Sequence, residues 1–236
     1  MKLKGVYMFN TYSKYHLDVV FCIDKTGGML RYSDIIKEIV SSLPERFEEY
    51  FSLVDKPIEV LRAKIIAFGD YAMDEEPMME SDFFVLPDQT EEFNTFLDSI
   101  VFYGGGDLSE NGFEALATAI KSDWTTGGDR QRHIIMMFSD GSALPLGERA
   151  DCPNYPKDLP KNMDELSAWW HGTDESFKGT FLPRSARFLG FLVDDGFSWN
   201  QLEMFDRTII SYNEPGSPEC DECLEMMISC AAHGWC

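Results

Sequence analysis

The run "HLDVVFCID", residues 16 to 24, limits most strongly how this chain folds. It is nearly all apolar and ends in an acid at a glycine-rich loop, "DKTGG". A strand without polar alternation is covered on both faces, so it belongs at the centre of a sheet with helices above and below. Similar runs recur at "RAKIIAF" (62–68), "RQRHIIMMFSDG" (130–141) and "SARFLGFLVDD" (185–195), and "DRTIISY" (206–212) predicts a fifth central strand. The shorter "SDFFVL" (81–86) follows a polar, proline-containing link and predicts an antiparallel edge strand.

Helical periods separate these runs. Ile35, Ile36, Ile39, Val40, Leu43, Phe47 and Phe51 recur at three and four, predicting one amphipathic helix with a bend near Pro44. "QTEEFNTFLDSI", "SENGFEALATAIKSDW" and "CDECLEMMISCAA" predict three more. Strands alternating with helices give an α/β fold: a doubly wound, mostly parallel sheet with one antiparallel edge strand and helices on both faces. Residues 1–16 read as an N-terminal extension and 17–236 as a single domain. Within it, 142–180 is an elaborated loop, proline-rich and polar, with one helix around Met163 to Trp170 and too few apolar residues for a core of its own.

Charge narrows the partners. Forty-one acidic residues against 20 basic ones leave a formal net charge of −21. That balance repels phosphate backbones and anionic lipid, so the expectation is no nucleic acid and no membrane, with cations and basic surfaces favoured instead. No segment has the apolar core of a signal peptide or the roughly 20 apolar residues of a membrane span, and the six cysteines lack the spacing of a secreted disulfide framework. A cytoplasmic protein with reduced thiols is expected.

Ligands of doubly wound sheets sit at the carboxyl ends of the strands. Three acid-bearing loops are expected there: Asp24 with Thr26 in "DKTGG", Asp107 in "GGGDLSE" (104–110), and Asp140, supported by Ser139, in "FSDGS" (138–142). Three carboxylates in one partly dry crevice repel unless a cation holds them, and hard oxygen donors favour Mg2+, with Mn2+ or Ca2+ as alternatives, over zinc.

This order of motifs resembles a von Willebrand factor type A domain of the bacterial cytoplasmic kind, from about Leu17 to the C-terminal helix. In that family a first strand ends in DxSxS, a glycine-rich loop adds a threonine or aspartate, and a later strand ends in aspartate; together they form a metal-ion-dependent adhesion site. Asp24 and Thr26 match the first two positions, Asp107 stands in the third loop, and Asp140 matches the last. The second serine of DxSxS is Gly28, so the site is a variant lacking one hydroxyl. The resemblance implies protein binding, with a partner carboxylate filling the open metal position, and no catalysis. It also implies a place in a bacterial stress-response or tellurite-resistance-like assembly.

Two rival readings follow. "DKTGGM" nearly spells the phosphorylation signature of P-type ATPases, and the wider haloacid dehalogenase superfamily uses such an aspartate, here Asp24, as a nucleophile. Against it, the chain is short for such a pump, Gly28 replaces the expected threonine, "FSDGS" lacks a second acid, and Met29 leads almost directly into a helix, leaving no flap. The other rival is a scaffold with a degenerate, metal-free site. No nucleophile elbow, P-loop or His-Glu-x-x-His motif is present, and His16, His133, His171 and His233 are scattered.

Cys220, Cys223, Cys230, His233 and Cys236 mimic zinc spacing. One helix across this segment separates the two pairs by roughly 15 Å, too far for a shared ion. Cys223, Met226, Met227 and Cys230 are instead expected as an apolar face packing on the sheet. Of the adjacent Trp169 and Trp170, one is expected in the core and the other under the elaborated loop.

Overall fold

The computed structural model describes residues 13–104, 109–192 and 198–233. The strands are β1 (Tyr15–Asp24), β2 (Ile58–Phe68), β3 (Met78–Glu80), β4 (Phe84–Leu86), β5 (Ser109–Glu110), β6 (Arg130–Ser139), β7 (Ser142–Ala143), β8 (Ala186–Leu192) and β9 (Thr208–Ser211). The α-helices are α1 (Ser33–Leu53), α2 (Thr90–Ser99), α3 (Gly112–Lys121), α4 (Met163–His171) and α5 (Pro218–Ala232). Among the described residues no helix is long and apolar enough to cross a membrane.

The main sheet runs β3-β2-β1-β6-β8-β9, with β4 also on β2. β2, β1, β6, β8 and β9 are parallel. The antiparallel edge is split: β4 covers Leu61–Ala63 and β3 covers Ile66–Phe68, two short segments along one long strand. β1 sits between β2 and β6, as its unbroken apolar run requires. Leu17, Val19, Phe21 and Ile23 pack with residues of α1 and α5, while Val20 and Cys22 pack with residues of α3 on the other face.

Four expectations change. The "TIIS" run pairs only with β8 among the described residues and so lies at the edge of the described sheet, with Ile209 packed against the core on one face and Ile210 against the core on the other. Ser109–Glu110, read as the start of a helix, instead forms a short parallel strand against Ser142–Ala143, and α3 begins at Gly112. Met29 leads first into a 3-10 helix, Gly27–Tyr32, before α1 begins. On α5 the buried face is Cys220, Leu224, Met227, Ile228 and Ala231, whereas Met226 is 48% exposed. The helical period starting at Cys220, not Cys223, selects that face.

The two tryptophans match their expected roles, although both are buried. Trp170 packs on Phe181 and Phe205, and Trp169 stacks on Phe177 of the irregular stretch at 4.5 Å.

Two ionisable side chains buried below the crevice are satisfied by their neighbours. Asp18 is fully buried and takes two bonds from Arg62 (2.8 and 2.6 Å) and one from the Thr125 amide. His133, also fully buried, donates from Nε2 to Thr125 O (2.9 Å) and accepts the Leu182 amide at Nδ1 (3.2 Å). Using one nitrogen each way requires the neutral ring. Burial is the main reason its pKa falls to about 4, helped by Arg62 and opposed by the Thr125 bond and Asp18.

The sign of the resulting pH dependence follows. Below pH 6.5 the unfolded histidine takes a proton that the folded one refuses until about pH 4, so stability is lost as pH falls through that window. Urea unfolding is expected to show a loss of up to roughly 3 kcal/mol from this group between those limits, and His133→Gln should remove that component of the slope.

Candidate metal-binding crevice

The chain proceeds from β1 to β2 on one side, then returns to build β6, β8 and β9 on the other. The reversal falls between β1 and β6, whose carboxyl ends carry Asp24 and Ser139–Asp140.

Asp24 is fully buried. Its Oδ1 accepts the Thr26 amide (3.0 Å) and the Thr26 hydroxyl (2.7 Å), and its Oδ2 accepts the Ser139 hydroxyl (2.7 Å). Among the described residues no cation pairs with it. Burial drives its pKa up to about 6; the Thr26 and Ser139 bonds pull it down, and the Asp140 charge pushes it further up. A hydroxyl that gives its proton to a carboxylate keeps its lone pairs for a cation, so Asp24 orients Thr26 and Ser139 as neutral oxygen donors.

Asp140 accounts for the missing serine. A Cβ placed on Gly28 would lie 2.8 Å from Asp140 Oδ2 and 3.0 Å from Oδ1. The carboxylate therefore occupies the space that a side chain at position 28 would need. Arg31 stands 3.5 Å from Asp140 Oδ2 and packs on the Tyr32 ring.

Asp107 lies outside the described residues. The segments on either side of it are joined to the crevice. Tyr103 N bonds Lys25 O (2.9 Å) and Gly27 N bonds Gly104 O (3.2 Å), stitching the third loop to the first. Beyond it, β5 joins β7 directly after Asp140, and carries the buried Glu110. Thus Asp24, Thr26, Gly28, Ser139 and Asp140 lie together at this end of the sheet. Among the described residues no three Asp, Glu, His or Cys side chains are arranged to hold an ion.

A further loop was missed by sequence reasoning. After β2, "GDYAMD" (69–74) presents Asp74, whose Oδ2 accepts the Asp70 amide at 2.8 Å. Its carboxylate lies against both glycines it faces: a Cβ on Gly69 would be 2.2 Å from Oδ2, and one on Gly104 would be 2.1 Å from Oδ1. Buried Asp70 takes two bonds from Arg149 (2.9 and 2.6 Å), which ties the irregular stretch to the same loop. The available signal was close to the one used elsewhere: a glycine and an acid, Gly69-Asp70, at the end of a buried strand. Lys25, the lysine of "DKTGG", is 3% exposed and its ammonium lies over the Tyr103 ring at 5.2 Å.

No family model and no curated protein matches the chain. Solved structures share its fold. The pilus adhesin SpaC from Lactobacillus rhamnosus GG superposes with TM-score 0.56 at 10% identity, covering 93% of this chain and 31% of that one. Proximal thread matrix protein 1 (PTMP1) from the mussel byssus, with a zinc-occupied MIDAS motif, gives 0.54 at 13% identity, covering 93% and 49%. The chain thus spans a third to a half of the proteins it resembles, and its fold is of the von Willebrand A type.

Gly104 has φ +80, which costs other residues about 1–2 kcal/mol, and the Asp74 contact adds to this. Gly104→Ala is expected to lower urea-unfolding stability by at least that amount. Adding Asp74→Ala should recover only the contact part, leaving the backbone strain.

Proposed function

We propose that this protein is a divalent-metal-dependent protein-binding module. The observation that carries the reading is Asp24: a fully buried carboxylate with no cationic partner among the described residues, holding two hydroxyls that each keep a lone pair for an ion, Ser139 having given its other to the Gly141 amide. Thr26 and Ser139 supply neutral oxygens, Asp140 supplies charge, and Asp107 completes the set from the third loop.

Hard donors suit Mg2+, with Mn2+ and Ca2+ next. A bound ion supplies an electrophilic position for a partner's carboxylate. The chain's own residues orient the donors and, through Asp140 over Gly28, replace the hydroxyl that the variant motif lacks. The mussel protein's zinc-occupied motif supports metal binding on this fold without identifying the metal here. A cytoplasmic location and a stress-response or tellurite-resistance-like assembly are proposed from the sequence resemblance alone.

Binding is favoured over phosphoryl transfer by the same geometry. An attacking aspartate needs an accessible oxygen, whereas both oxygens of Asp24 are engaged and buried.

At a hundredfold excess over its Kd, Mg2+ or Mn2+ should stabilise the fold by about 2.7 kcal/mol. That raises Tm by roughly 5–10 °C for a domain of this size. Asp24→Ala should abolish the shift, Ser139→Ala should weaken metal binding, and chelator should release a captured protein partner. Absence of any metal-dependent shift in the wild type would favour the metal-free scaffold. Metal-dependent hydrolysis of p-nitrophenyl phosphate that is lost in Asp24→Asn would favour the enzyme instead.

A further inference from the structure

Few large apolar side chains are exposed on the described surface, and four of them gather on the loops that build the crevice. Leu30 of the 3-10 helix is 60% exposed, Met73 of the loop after β2 is 57% exposed, and Val101 and Tyr103 of the third loop are 63% and 47% exposed. Single exposed apolar groups need no explanation, whereas several on one face mark a surface that another molecule covers.

The three loops form one rim. Tyr103 N bonds Lys25 O at 2.9 Å, Gly27 N bonds Gly104 O at 3.2 Å, and Asp74 lies against Gly104. Lys37 of α1 bonds the Asp98 and Ile100 carbonyls (3.2 and 3.5 Å), with its ammonium 5.9 Å from the centre of the Phe102 ring. Val101 therefore stands between two anchored residues. Leu30 is held in the same way by the short helix whose Met29 and Tyr32 are buried in the core. Apolar groups carried on a frame already fastened lose little freedom when they are covered.

Charge indicates what covers them. Arg31 directly follows Leu30, its side chain is 62% exposed, and among the described residues its one hydrogen bond is the 3.5 Å contact with Asp140. A guanidinium has five donors in a planar fork that matches a carboxylate. With a cation in the crevice, the centre of the rim is positive and its border apolar, on a protein whose net charge is −21.

We propose that this rim recognises a protein segment whose acidic residues are flanked by large apolar ones. One carboxylate goes to the metal, a second pairs with Arg31, and the apolar side chains cover Leu30, Met73, Val101 and Tyr103. This rests on the reading of the crevice as a metal-dependent binding site, and adds to it the chemistry of the partner. A protein segment is favoured over a lipid surface because the net charge repels anionic headgroups.

Panning a random dodecapeptide phage library on the full chain in MgCl2, with release by EDTA, tests this. Enriched sequences are expected to place Asp or Glu beside Leu, Ile, Phe or Trp. For the tightest synthetic peptide, fluorescence anisotropy should show Leu30→Ser with Val101→Ser weakening binding by about tenfold or more. Arg31→Gln should weaken it by about twofold to fivefold. Leu53→Ser, an exposed position at the other end of α1, should leave it unchanged. Acidic peptides without apolar flanks, bound equally well by the double variant, would overturn the proposal and leave metal-dependent binding standing. Binding that persists in EDTA would instead remove the metal reading beneath it. No enriched sequence, or co-sedimentation with phosphatidylcholine vesicles that the double variant loses, would also overturn the proposal, and the metal-dependent Tm shift then judges the crevice separately.

Discussion

Asp24 ends β1, a strand buried along almost its whole length at the centre of the sheet, and burying a carboxylate is costly unless its oxygens are satisfied. Both are satisfied by neighbours that converge from different parts of the chain, Thr26 from the loop it opens and Ser139 from the adjacent strand. The parallel pairing of β1 with β6 brings these groups together, since it aligns the two carboxyl ends at the point where strand order reverses. The same contacts keep the first and last loops of the crevice in register. Removing the carboxylate therefore alters the local fold as well as the chemistry.

Around that centre, loops are positioned by acids packed against glycines. Asp140 lies over Gly28, and Asp74 lies against Gly69 and Gly104. In each case a side chain on the glycine would meet a carboxylate oxygen, so the small residue and the acid form one arrangement. Backbone bonds from Tyr103 to Lys25 and from Gly27 to Gly104 add a second tie between the loops. The irregular stretch joins in through Arg149 on Asp70, and through Gly147 and Tyr155, which bond Glu114. It is thus built into the end of the sheet that carries the crevice.

Much of this was legible in the residues. The strand ends that carry Asp24 and Asp140 were visible because an unbroken apolar run followed by acid and glycine has few other readings. The loop after β2 offered a similar signal at Gly69 and Asp70, yet Asp74 stands four residues further on, and only folding shows that it turns back to Gly104. The β5 strand was illegible for a related reason: two residues give no periodicity, and their pairing with Ser142–Ala143 depends on a contact distant in sequence. The edge position of β9 was missed because an apolar run reports that the faces of a strand are covered, which they are for Ile209 and Ile210, and not whether it pairs along one edge or both.

What the sequence determined by itself was the fold class, the central place of β1, and the residue types able to hold a hard cation, because periodicity and side-chain chemistry are local properties. Tertiary structure alone decided which of those oxygens meet and what fills the gap at Gly28. It also decided that the Tyr71 hydroxyl is buried without a hydrogen-bond partner. Those outcomes depend on strand order and on distances of a few ångströms between residues far apart in the chain, which no local pattern encodes.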